Sequence, residues 1–140
     1  MGDRIEPRTI LDRQGDVQRG KLIFFSDAGR CRACHEADDR TKSLGPTLRE
    51  INKKYPKIEE MLEHVLEPSK KIDESFAAFS ITTQDGQALS GLVVESTPDE
   101  VVVRNAEKQT TRLKRSSIDE MSRSAKSLMP ERILSDLTAQ

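Results

Sequence analysis

Aromatic residues are scarce in this chain. It has no tryptophan, one tyrosine and four phenylalanines, 4% of its 140 residues. The strand-like part holds only Phe76 and Phe79, both read as core, so it offers no stacking platform for single-stranded nucleic acid. Charge of one sign is lacking as well. The 23 Lys and Arg and 24 Asp and Glu leave a net charge of −1, with the cations scattered among acids. No basic stripe exists to follow a phosphate backbone, so nucleic acid is excluded as a partner. Uninterrupted apolar runs stop at four residues, as in "LIFF" (Leu22 to Phe25), far short of the ~20 that a membrane span needs. The opening "MGDRIEPRTI" lacks the apolar stretch of a secretory signal. Two cysteines do not make a disulfide framework. Hydrophobic residues amount to 34%, and adding the glycines still leaves the apolar share below the usual ~45–50%. A chain this polar builds a thin core by itself, and a large apolar cofactor would help it to fold.

What is present is organised in two halves, as one domain or one small domain carrying an insertion. Residues 1–15 are polar and without period, a lead-in. Asp16 is a good N-cap for a helix through "VQRGKLIFFS", which sets Gly20 and Phe24 on one face. The stretch "DAGRCRACHEADDRTKSLGPT" is loop-like. Helical signal returns in "LREINKKY" and is cleanest in "KIEEMLEHVLEP". There Ile58, Met61, Leu62, Val65 and Leu66 form one apolar stripe, ended by Pro68. From about residue 75 the period changes. "FAAFSITTQ", "ALSGLVVES", "EVVVRN" and "TTRLKR" are short, β-branched and separated by the turn signals Asp85-Gly86, Thr97-Pro98-Asp99 and Asn105-Ala106. They predict an antiparallel meander or small barrel over about residues 75–116. The remainder, from "SIDEMSRSAKS" onward, is irregular, with a helical hint near its end.

The chemistry is concentrated in "GRCRACHEADD" (29–39), which holds Cys31, Cys34 and His35, both cysteines and one of two histidines. Cys-x-x-Cys-His is the pattern of covalent c-type haem attachment. Two thiols so spaced reach the two vinyl groups on one porphyrin edge, and the next residue then lies under the iron as a ligand. A thioredoxin-like pair needs a strand before it and a helix after it, whereas here a helix precedes and a loop follows. Zinc needs two further ligands, and His64, alone in the amphipathic helix, reads as a surface or boundary residue. Two structural thiols matching the pattern by chance are the bland alternative. Haem is the strongest of the four.

The flanks carry a resemblance. "GDVQRGKLIF" followed by "CRACH" and then "LGPTL" resembles class I c-type cytochromes, although Phe24 stands further from Cys31 than in their compact members. "CRACH", "LGPTLREI", "LEHVLEPSKKIDESFAAFSITTQDGQALSGLVVEST" and "SLMPERI", in this order, resemble more closely the haem-binding domain of the planctomycete and verrucomicrobial type, over about residues 16 to 138. The resemblance implies a mainly α cytochrome c-like core with an inserted antiparallel β-meander or barrel, α+β overall, with residues 16–140 as one monohaem domain. It implies one covalent haem c on Cys31 and Cys34, with His35 as an axial ligand whose imidazole donates to the Pro46 carbonyl. Phe24, Pro46, Leu48 and Leu128 would line the pocket. It implies an electron carrier rather than an enzyme, the haem module of a larger exported oxidoreductase. A redox protein or fused dehydrogenase domain would be donor, and a cytochrome or oxidase acceptor. Haem is attached outside the cytoplasm, so a periplasmic or otherwise exported location follows, its signal lying outside this chain. The family's last helix would begin where the chain stops at "LTAQ"; in class I cytochromes that helix covers the Gly/aromatic face, here Gly20 and Phe24. The alternative is a haem-containing sensor or binding module in which the β-rich insertion binds a partner.

The iron's other ligand is sought among four methionines and His64. Met61 lies on the apolar stripe, and Met121 near the close of the β-rich part, where it would cap that core. Met129 precedes Pro130, which biases it towards extended backbone in a loop, and it aligns with the "SLMP" of the resemblance, whose methionine is the expected ligand. Met129 is therefore the expected ligand, with Met121 and His64 left as alternatives.

Overall fold

The computed structural model describes residues 5–35 and 43–137. The segment 36–42 of the expected loop, together with 1–4 and 138–140, lies outside the described residues. Five short helices are followed by a five-stranded antiparallel sheet, an α+β arrangement. The helices are α1 (Pro7–Leu11), α2 (Val17–Phe25), α3 (Cys31–Cys34), α4 (Ile51–Lys54) and α5 (Ile58–Leu66). The strands are β1 (Ala78–Thr83), β2 (Ala88–Ser96), β3 (Glu100–Arg104), β4 (Thr110–Lys114) and β5 (Ile118–Arg123). Among the described residues no helix is long and apolar enough to cross a membrane.

Helix α2 starts where its cap predicts. The Asp16 carboxylate accepts from the Arg19 amide at 2.9 Å, satisfying one of the free N–H groups of the first turn. Helix α5 follows its apolar stripe and stops at Glu67, before Pro68. The lead-in is not wholly structureless. Pro7 opens α1, which lies against α5, with Ile10 and Leu11 half-buried. None of the five helices contains a fully buried residue, and Val17, Leu22, Phe25 and Ile58 stand more than half exposed.

The core belongs to the sheet. Ile81, Val101, Val103 and Leu113 are buried together, with Phe79, Leu89, Val93, Ile118 and Met121 packed around them. Pairing sets Phe79 opposite Gly91, Val93 opposite Val103, Val101 opposite Leu113 and Ile81 opposite Met121, so one face collects the large apolar side chains. The strand order is β4-β3-β2-β1-β5, which makes the sheet open, with β4 and β5 as its edges. Yet only Arg115–Ser117 joins these edges. Lys114 and Ile118 are thus about 14 Å apart at most, whereas the edges of a flat five-stranded sheet lie about 19 Å apart. The sheet must curl around its core.

Strand β5 falls in a stretch whose sequence reads as irregular. Ile118 and Met121 are three apart, which breaks the alternation of a strand. The register shifts by one residue between Thr82 and Thr83, so Ile118 pairs with Thr83 and Met121 with Ile81. The extra residue of this bulge returns both side chains to the core face. At the other extreme, the helical hint near the chain end is not realised. Arg132 has φ +62°, and the bonds Ser135 N to Arg132 O and Leu137 N to Leu134 O close single turns.

Candidate functional site

Helix α3 is one turn long, and that single turn arranges the cysteines. The His35 amide donates to the Cys31 carbonyl at 2.9 Å, closing it, while Cys31 and Cys34, three residues apart, share a face. Arg30 leads into it from the left-handed region at φ +55°. Both thiols are free and half-buried, and the Cys31 thiol donates to the Gly29 carbonyl at 3.1 Å. Burial pushes both thiols above their ordinary pKa; for Cys34 the charges of Lys108 and Arg30 pull the other way without reversing the shift. Such thiols are poor nucleophiles at neutral pH, the opposite of a reactive redox pair. Among the described residues, no three Cys, His, Asp or Glu side chains converge as a metal cage.

The chain returns to this turn at residues 43–46. The Leu44 and Gly45 amides donate to the Cys34 carbonyl at 3.1 and 2.9 Å. The buried Ser43 hydroxyl lies 2.7 Å from both the Cys34 and the Gly45 carbonyls and shares its one proton between them. The Pro46 carbonyl stands 2.9 Å from Nδ1 of His35, the contact that the resemblance to cytochromes implies. A carbonyl can only accept, so Nδ1 carries the proton, and in the neutral imidazole Nε2 keeps its lone pair for another partner. Gly45 packs on the ring itself. A Cβ built there would lie 2.5 Å from Cε1 and 2.7 Å from Nδ1 of His35, closer than real side chains come. Gly45→Ala should therefore turn the imidazole off the Pro46 carbonyl and cost about 1–3 kcal/mol, as overpacking does. Urea denaturation would give the loss, and the NMR shifts of the His35 ring the displacement. An unshifted ring and unchanged stability would show that Gly45 is not needed for close approach.

Met129 sits half-buried in a bend, outside helix and strand. Its amide donates to the Ser127 hydroxyl at 3.1 Å, and the Ser127 amide donates to the Ser69 hydroxyl at 3.1 Å. The "PSK" and "SLMP" segments are thus joined, and the methionine loop is anchored just beyond the end of α5. Met121 is committed to the sheet core. His64 is half-buried, and its ring lies tilted against Tyr55 with centroids 4.4 Å apart. Phe24 is half-buried and meets Phe25 edge-on at 5.2 Å, and Leu48 and Leu128 are also half-buried. Gly20 of the expected Gly/aromatic face is exposed, with nothing within 4 Å of its Cβ position.

Sequence reasoning did not single out Ser43, Ser69, Ser127 or Arg104. Arg104, at the end of β3, donates from Nη1 to the Ser43 carbonyl at 3.0 Å across 61 residues. Isolated serines and arginines in a polar chain carry no spacing signal, and only the fold reveals their partners. A polar depression at the far turn of the sheet, around Thr97, Asp99 and Lys114, is crossed by Arg115, which donates to the Thr97 carbonyl at 2.7 Å and the Ser96 hydroxyl at 2.6 Å. It brings together no catalytic pair.

Two free thiols on one face of a turn and an imidazole whose Nδ1 is engaged thus form one local group, while Met129 stands in a separate anchored bend. No known family model matches the chain, and no curated protein matches it either.

Proposed function

We propose that the chain is a monohaem c-type cytochrome domain that passes single electrons between redox partners. Cys31 and Cys34 are its points of covalent attachment, and His35 and Met129 its axial ligands. The observation that carries this reading is the His35 imidazole held by the Pro46 carbonyl and seated on Gly45, one residue beyond a Cys-x-x-Cys turn. When bound, haem c supplies the one-electron couple. The chain's own residues tether, orient and shield. The Nδ1 bond fixes the ring and its tautomer and raises the basicity of Nε2. With His35 and Met129 both holding the iron, no position would be open for a substrate, so the role proposed is that of carrier rather than enzyme. Donor and acceptor are, on this reading, a dehydrogenase domain or redox protein and a second cytochrome or an oxidase, outside the cytoplasm where haem is attached.

The test is a pyridine haemochrome assay with redox titration on protein matured in a bacterial periplasm. One covalent haem per chain and a reversible one-electron couple without carbon monoxide binding are expected. Protein that matures without haem would sink the proposal. Ready carbon monoxide binding by the reduced form would move the reading to a sensor.

A further inference from the structure

The β-sheet contains its own core, so its face towards the Cys31–His35 turn needs another explanation. Pairing sets Ala78 beside Leu92 and Leu92 beside Arg104, a row across three strands on the face opposite to Ile81 and Val101. Ala78 and Leu92 are buried, as is Leu44 in the returning loop. Arg104 ends the row, and its guanidinium reaches the Ser43 carbonyl at 3.0 Å. Its backbone is held in place. A Cβ on Gly91 of the neighbouring strand would lie 2.1 Å from the Arg104 carbonyl oxygen, so β2 and β3 are pressed together where this side chain departs.

From Ser43 the connection continues without a gap. The Ser43 hydroxyl bonds the Cys34 and Gly45 carbonyls, the Gly45 amide bonds the Cys34 carbonyl, and Gly45 and Pro46 hold the His35 ring. We propose that Arg104 is a positioning residue: through the Ser43 carbonyl the sheet clamps the 43–46 loop and thereby sets the orientation of His35. The sheet then serves as a rigid brace for the imidazole rather than as an independent binding module. A guanidinium suits this task because a charged donor binds a carbonyl more strongly than a neutral one and its plane is pre-organised.

Its importance for an axial ligand rests on the haem reading, but the clamp is a property of the chain and is tested without haem. Amide hydrogen exchange, read by NMR on the full chain, is the probe. In Arg104→Gln, whose shorter neutral side chain does not span to Ser43, the Leu44 and Gly45 amides should exchange at least about tenfold faster while Val101 and Val103 keep their rates. Arg104→Lys, which retains charge and a donor, should restore part of the protection. In haem-loaded protein the His35 Nδ1 proton should follow the same order. Unchanged exchange at Leu44 and Gly45 would overturn the proposal, and so would equal acceleration at Val101 and Val103, which would mean that Arg104 merely stabilises the sheet. If Arg104→Gln does not fold, Arg104→Lys is judged by the same two comparisons. Failure to load haem counts against the cytochrome reading alone and leaves the exchange result standing.

Discussion

Replacing both Cys31 and Cys34 with alanine is expected to release all of the haem into acidified organic solvent, while either single replacement leaves at most one thioether. The expectation follows from the turn itself. Both thiols are free, both lie on one face of α3, and two residues separate them. With no other cysteine in the chain, nothing can substitute for them. Both single variants should show the pyridine haemochrome maximum of a haem with one thioether and one vinyl group, displaced from that of the chain with both cysteines. Expression confined to the cytosol should yield mostly apo-protein, because the attachment machinery works outside it. Full retention of haem by the double variant would remove the covalent model.

Met129→Ala should abolish the weak methionine-to-iron(III) band in the near infrared and open the reduced iron to carbon monoxide. The potential should also fall, since methionine ligation raises it, by tenths of a volt within the ~0.8 V that axial ligation spans. The control is built into the sheet. Met121 pairs with Ile81 and packs on the core, so Met121→Ala should leave the band and lower stability by about 2 kcal/mol, the low end for a half-buried methionine. Ser69→Ala removes the acceptor for the Ser127 amide. It should weaken the band without abolishing it, because the loop is loosened while the thioether remains. If Met129→Ala keeps the band and Met121→Ala loses it, the ligand is Met121, and the sheet edge must rearrange to bring it to the iron.

The features legible in the sequence share a physical basis: their signals are complete within a few residues. The Cys-x-x-Cys-His pattern is closed by one helical turn, from the His35 amide to the Cys31 carbonyl. The cap of α2 needs only Asp16 and the Arg19 amide. The stripe of α5 and the hairpin turns around Gly86 and Asn105 are likewise local, because side-chain periods of 3.6 and 2 are printed directly on the chain. From these alone came the change from helices to antiparallel strands near residue 75 and the candidate ligand His35.

What only the tertiary structure decided depends on partners far apart in the chain. Strand β5 escapes a reading by alternation because a bulge displaces its register, and that bulge exists only against β1. Gly45 looks like any turn glycine until the His35 ring is found against it. Ser69 and Ser127 are 58 residues apart, and Arg104 and Ser43 are 61 apart, so no periodicity connects them. A single hydrogen bond across such a distance leaves no pattern in the sequence. It forms where the curled sheet and the short helices bring a donor to an acceptor. The sequence by itself determined which residues are the candidates for the chemistry, since thiol, imidazole and thioether are properties of residue type and local spacing. How rigidly the imidazole is aimed, and from which side it is braced, was left to the fold.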